Sequence, residues 1–410
     1  MANKEIVVQK YGGESVADFE KMGKVARYIK KIVEGGKKVA VVVSAMGETT
    51  DELIQLAKEV SGPFPPKEEL NKLLATGEEQ AAPLLAMALI HLGLRATSFT
   101  SREIRLEADS TGRVKRVGNV EGIKALLEEG EVVVITGFQG VIEGTQRVIT
   151  LGRGGSDLTA ISLAATLGLD YCEKYTKEDG VYATDPEIVP NAKRLPKITY
   201  GQMCDLAEAG AKVLMSRAVD LAQDLGVKIK ISKSPSIGES TGGTLVCAGG
   251  TLEEMEGLSW IQPAVAIQKG MLVVVSNIRN EPGTAATVFE SLKDFNLMDS
   301  TQGIGKETAS ISPLCFPDDL PQILAKLNEV KESGVAGKIE ISEGIPMAEL
   351  TLVYPLMREG YLYRMFKAMA RVRVNIELHS APSTTISVTI REEGLKKAAQ
   401  ALAEEFKLRE

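Results

Sequence analysis

The chain has 410 residues, 44% hydrophobic and 25% charged, with a formal net charge of −7. That length exceeds one ordinary core, so two or three domains of a soluble globular protein are expected. The acidic balance, with no basic stripe to offset it, argues against nucleic acid as a partner.

No apolar run approaches the roughly 20 residues of a membrane span, and "MANKEIVVQK" lacks a signal-peptide core, so the expected location is cytoplasmic, without membrane contact. Cys172, Cys204, Cys247 and Cys315 are scattered and form no CxxC pair. A zinc site or disulfide framework is therefore not expected. His91 and His379 are the only histidines and are read as packing or surface residues.

The first candidate strand, "EIVVQK", ends in Lys10 and turns through Gly12 and Gly13. "KVAVVVSAM", "EVVVITGF", "LDYCEKYT" and "VKIKIS" follow, several of them near-continuous β-branched runs as expected for strands buried on both faces. Helical patterns lie between them at 17–35, 49–60, 67–92, 120–129, 156–168 and 199–225. This alternation predicts an α/β domain over 1–250, a mostly parallel sheet sandwiched by helices. Ligands bind at the C-terminal strand ends of such sheets, where Gly12–Gly13, Ser44–Gly47 and Gly137–Gly140 fall.

Beyond "GGTLVCAGGTLEEMEG" the units shorten and repeat. Gly283, Phe289 and Met298 are spaced as Gly360, Phe366 and Asn375 are. Two ferredoxin-like α+β modules, 263–340 and 341–410, are expected. Such a tail suggests ligand sensing, with two plain structural lobes as the alternative.

Four stretches of the first domain carry chemistry: "KYGGES" from Lys10, "SAMGETTDEL" from Ser44, "LGRGGSDLTAISLAA" from Leu151 and "EDGVYATDPEIVPNAKRL" from Glu178. Glycine turns at strand ends let backbone approach a phosphate, and Lys10 supplies a movable charge beside them. Phosphoryl transfer runs on positioning and cations, so it needs no histidine. Taken alone, Ser156 and Asp157 could instead cap a helix, Thr50 likewise, and Lys212 could be an ordinary surface lysine.

In order and spacing these stretches, with "GAKVL" from Gly210, resemble the aspartate kinases of the amino acid kinase family, and the C-terminal third resembles their tandem ACT domains down to "VNIEL" at 374–378. The resemblance implies ATP-dependent phosphorylation of the side-chain carboxylate of L-aspartate, the entry to lysine, threonine and methionine synthesis. By position it implies Lys10 and Asp157 as catalytic residues, and Ser44, Thr50, Glu78 and Arg153 around the amino acid. Gly12, Gly13, Asp179, Tyr182, Asp185 and Lys212 would serve the nucleotide. ATP and Mg2+ are the implied cofactors, with no protein residue assigned as a metal ligand. An amino acid effector at the ACT domains and a homo-oligomer through them are also implied. A kinase on another small acidic metabolite, and a weakly catalytic regulatory paralogue, stay open as alternatives.

Several positions depart from the family pattern. Glu14 stands where Thr or Ser is usual, Lys177 and Glu187 change charge in the nucleotide loop, and Leu158 and Glu79 replace polar motif residues. A carboxylate about 5 Å from a phosphate charge, at an effective dielectric near 20, costs on the order of 3 kcal/mol, roughly a hundredfold in affinity. Weak ATP binding is expected on that basis, with Glu14 and Lys177 pairing across the phosphate site. In the tail, Met298 and Ser300 replace an N-[IV]-D pattern, "SAPSTTI" stands at 380–386, and 358–361 departs from a small proline-containing turn. Weak inhibition by lysine plus threonine is expected.

Overall fold

The computed structural model describes residues 5–251, 254–255, 258–305, 307–356 and 359–410. Arg358, part of the unusual 358–361 turn, lies outside them. The chain divides into two compact units: Met1–Tyr182, Arg194–Glu208 and Lys212–Gln262 in one, Ala183–Lys193, Ala209–Ala211 and Pro263–Glu410 in the other.

In the N-terminal unit, Ile6–Tyr11 (β1) and Lys38–Val43 (β2) are buried along nearly their whole length. Strands so apolar need cover on both faces. They join Ala96–Phe99 (β3), Val132–Thr136 (β4), Tyr171–Thr176 (β5), Lys197–Thr199 (β6), Lys228–Lys233 (β7) and Thr244–Cys247 (β8) in one sheet of order β6-β8-β7-β5-β1-β2-β4-β3. Only β7 and β8 run antiparallel to each other. The mostly parallel α/β architecture expected from the sequence is the one observed.

Helix Phe19–Glu34 (α1) starts where the Asp18 side chain accepts the Lys21 N–H at 2.7 Å. Its Met22, Val25 and Ile29 pack with Ala81, Leu85 and Leu89 of Lys67–His91 (α3) on the face carrying Val7, Tyr11, Val39 and Val41. Thr49–Ser61 (α2) precedes α3. Gly155–Thr166 (α4), buried along most of its length, packs on the opposite sheet face, towards which Lys10 points.

One expected helix is two. The 199–225 pattern breaks after Tyr200–Glu208 and resumes at Ser216–Leu225. Gly210 adopts φ +99°, outside right-handed helix, and a chain committed to that conformation cannot carry the helix through.

The C-terminal unit is an antiparallel sheet with helices. Ala264–Leu272 (β9), Val275–Arg279 (β10), Thr284–Ser291 (α5), Asp299–Ile304 (β11), Thr308–Cys315 (β12) and Leu320–Ser333 (α6) make up its first half. Ile345–Val353 (β13), Tyr361–Arg371 (α7), Leu378–Ser380 (β14), Thr385–Arg391 (β15) and Leu395–Glu405 (α8) make up its second. The repeat seen in sequence is structural: Gly283 and Gly360 open α5 and α7 in left-handed conformation at φ 94° and 90°. Phe289 and Phe366 are 39% and 38% exposed on them. The two halves interleave, because β9 pairs with β13 from Ala264 to Leu272 but meets β12 only at Met271 and Leu272.

Candidate active site

Lys10 lies near the end of β1 and Lys174 in β5, and the two are register partners on adjacent parallel strands. Side chains at paired positions emerge on the same face, so both ammonium groups meet α4. There Asp157 receives them: Lys10 Nζ lies 2.9 Å from Oδ1 and Lys174 Nζ 2.6 Å from Oδ2. All three residues are buried. Burial opposes ionisation of Asp157, but the two lysines outweigh it and hold the carboxyl below its usual range. Lys174 is pulled the other way, burial bringing its ammonium down to about 8 against the attraction of Asp157.

Asp157 and Ser156 are not helix caps. The N-cap of α4 is Gly154, left-handed at φ 71°, and no side chain caps this end. Ser156 stands inside the first turn, and its hydroxyl accepts from Ser44 Oγ at 2.8 Å, joining α4 to the loop after β2. That loop also abuts the turn after β1. A Cβ on Gly13 would sit 2.7 Å from the Ala45 carbonyl oxygen, so the close approach requires glycine there. Gly12 lies beside the Lys10 ammonium, where a Cβ would stand 3.6 Å from Nζ.

Glu78 rises from the middle of α3 to the same loop. Its Oε1 accepts the Ala45 backbone N–H at 2.9 Å, and Oε2 is buried without a hydrogen-bond partner. Burial lifts its carboxyl to about 7, opposed by the Ala45 bond and the Lys10 charge. Thr50, half-buried, is the second residue of α2; the N-cap is Glu48, and no side chain caps that helix either. Arg153 is exposed on the loop before α4, and among the described residues no acceptor pairs with it. Lys10, Asp157, Ser44 and Glu78 are thus joined through direct bonds and the 44–45 loop.

The nucleotide-side residues are more dispersed. Asp179 is engaged by its own neighbourhood, accepting from Ser240 Oγ (2.5 Å), Thr241 N (2.7 Å), Thr241 Oγ1 (2.6 Å) and Lys233 N (3.2 Å). Burial raises its carboxyl, but these bonds bring it down to about 2, so it is an ionised clasp for the 240–241 loop. Tyr182 is half-buried in a short strand pairing with Arg194. Asp185 belongs to the other unit, where its side chain accepts the Glu187 N–H at 2.8 Å. Lys212 is exposed; two residues on, Leu214 lines the cleft over Asp157, and Met215 packs at Gly154.

The structure corrects one charge expectation. Glu14 is exposed and pairs with Lys21, in the first turn of α1, at 2.5 Å. Lys177 lies 3.7 Å from Glu178. Glu14 stands in the short 3-10 turn Gly13–Val16 just before α1, seven residues from Lys21, and local spacing decides that contact. Leu158 is core and Glu79 points to solvent beside buried Glu78.

Sequence reasoning missed two residues. Arg217 donates to the Leu151 and Gly112 carbonyls and braces the loop carrying Arg153, with no sequence signal. Lys174 did leave one: a lysine inside a strand otherwise fit for burial.

The sequence model of the amino acid kinase family matches residues 5–233, and that of an ACT domain matches 357–406. The aspartokinase of Corynebacterium efficiens is 37% identical over 411 residues, covering 98% of this chain and 96% of that protein. That of Mycobacterium tuberculosis is 38% identical over 413 residues, with the same coverage. The crystal structure of aspartate kinase from Synechocystis is 33% identical with a TM-score of 0.54, covering 98% of this chain and 69% of that one. E. coli aspartokinase III in complex with aspartate and ADP shares the fold, at 23% identity and a TM-score of 0.73, covering 98% of this chain and all of that one.

Proposed function

From the premise that this chain belongs to the aspartokinases of the amino acid kinase family, we propose how its residues divide the work of that reaction. The reaction is ATP-dependent phosphorylation of the side-chain carboxylate of aspartate. A carboxylate oxygen bonds to the γ-phosphorus as the bond to the bridging oxygen breaks, and ADP leaves with the electron pair.

Lys10 stabilises charge on the transferring phosphoryl group, and Asp157 holds Lys10 in place. Glu78 takes the substrate ammonium through its unpaired Oε2, Arg153 takes the α-carboxylate as a planar fork, and Ser44 and Thr50 line the wall between them. Gly12, Gly13, Tyr182, Asp185 and Lys212 serve the nucleotide, with Asp179 shaping its loop. Among the described residues no three His, Cys, Asp or Glu side chains converge as a metal site. Mg2+ would come with the nucleotide, whose phosphates and water would supply most of its ligands and whose charge it would offset.

Residues 1–250 are proposed as the catalytic domain, and 263–340 and 341–410 as two ACT modules that share β9, bind an amino acid effector and pair with a second copy. The product then enters lysine, threonine and methionine synthesis in the cytoplasm. Among the described residues, no helix is long and apolar enough to cross a membrane.

The observation that carries the reading is Asp157 joined to Lys10 at 2.9 Å, buried at a strand end beside Glu78. ADP release measured with aspartate and a panel of small acids tests it. Aspartate should be the preferred acceptor, and Lys10→Ala and Asp157→Ala should each lower turnover by about a hundredfold or more while the fold persists. Near-natural turnover in both variants removes the site assignment.

A further inference from the structure

The site described above needs one lysine to meet the phosphoryl group, and the structure brings two to the same carboxylate. Their contacts differ. Lys174 makes a well-formed hydrogen bond to Asp157 Oδ2 at 2.6 Å. Lys10 lies 2.9 Å from Oδ1, an ion pair that engages the other carboxylate oxygen. An ammonium carries three donors, so this contact leaves Lys10 others for a ligand.

We propose that Lys174 is a positioning residue for phosphoryl transfer: it anchors Asp157 through Oδ2, so that Oδ1 stays in place to hold Lys10, whose remaining donors face the transferring group. The inference rests on the assignment of Lys10 and Asp157 above.

Three observations converge on it. Strand pairing puts Lys174 beside Lys10 on the face that α4 covers, so the contact follows from register rather than from a chance rotamer. The side chains of Lys10, Lys174 and Asp157 are only 9%, 10% and 6% exposed, so these charges are held in a fixed geometry rather than screened by water. Finally, the three side chains line one narrow cleft with Ile161, Leu214 and Ile229, apolar walls that leave Asp157 as the carboxylate Lys174 serves among the described residues.

The groups facing Lys174 are Asp157 from α4, Lys10 from β1 and Cys172 on its own strand. Burial pushes the Cys172 thiol up to about 12, so it stays neutral at working pH. Loss of the Lys174 proton near pH 8 should therefore show as a basic fall in kcat.

The test is steady-state kinetics of the full chain with aspartate and ATP, with circular dichroism as the folding control. Lys174→Met should lower kcat about tenfold or more while the KM for aspartate stays within about twofold, because Asp157 touches no part of the amino acid in this scheme. Lys174→Arg should recover part of that loss, and its basic limb should move above pH 8, since a guanidinium keeps its proton. A folded Lys174→Met with kcat within twofold of the natural protein, alongside a dead Lys10→Ala, overturns the inference and leaves the site reading standing. If Lys174→Met does not fold, the pH profile of Lys174→Arg decides: a basic limb unmoved from that of the natural protein overturns the proposal. Retained turnover in Lys10→Ala would instead overturn the site reading beneath it.

Discussion

Glu78 accepts the Ala45 N–H through one carboxylate oxygen and keeps the other buried without a partner. An acceptor left so costs about 1 to 3 kcal/mol, which a substrate ammonium would recover. The carboxyl is raised to about 7, so it is charged above that pH and neutral below it. The KM for aspartate should therefore rise below pH 7, approaching tenfold per pH unit, and level off above it. Glu78→Gln should flatten this dependence at a high KM. A natural protein whose KM ignores pH between 6 and 8 would take Glu78 out of the substrate site.

Arg153 is exposed, with no protein acceptor among the described residues. Replacing its fork by a point charge loses one charge-assisted hydrogen bond to a carboxylate, so Arg153→Lys should raise the aspartate KM about tenfold with little change in kcat. An unchanged KM moves the substrate carboxylate elsewhere.

Glu14 is paired with Lys21 and faces solvent, so the phosphate repulsion foreseen from sequence is largely neutralised. Exposed pairs contribute about 0 to 1 kcal/mol, and the Lys21 charge that Glu14→Thr frees is screened by solvent. Calorimetry of Glu14→Thr should show ATP affinity changed by less than about tenfold. A hundredfold tightening would restore the view that Glu14 repels the nucleotide.

Glu349, in the middle of β13, is raised to about 7 by burial and by Asp299, against a bond with Ser387. A raised carboxyl contributes stability that is full below its unfolded value of 4.5 and lost as pH climbs through 7. Glu349→Gln should therefore stabilise the protein more at pH 8 than at pH 5, by on the order of 2 kcal/mol. Thermal melts at the two pH values measure it, and an equal gain at both would mean that Glu349 does not titrate in this range.

Met298 and Ser300 stand at the effector positions implied by the family pattern, and Phe289, Phe366 and Tyr363 are exposed large apolar or aromatic residues on the C-terminal helices. Turnover should fall less than about twofold with millimolar lysine plus threonine, and sedimentation of the full chain should give a dimer or larger. Concerted inhibition at sub-millimolar levels would contradict the first expectation, and a monomer the second.

By itself the sequence determined the alternation of strands and helices, the strand ends where ligands bind, and the five motifs that identify the family. Each is local: a β-branched run, a glycine pair and a lysine before it lie within a few residues of one another, and their chemistry survives in any register. The paired glycines at 283 and 360 were equally legible, because a left-handed turn before a helix favours glycine wherever the chain makes one. Only the tertiary structure decided that Lys174 shares Asp157 with Lys10, that Glu78 has one satisfied and one unsatisfied oxygen, and that β9 crosses into the sheet of the second repeat. Those facts depend on strand order and register, which join residues far apart in the chain. Glu14 shows the converse: a partner sought across the fold was found seven residues away, because a short tether keeps Lys21 within reach at small entropic cost.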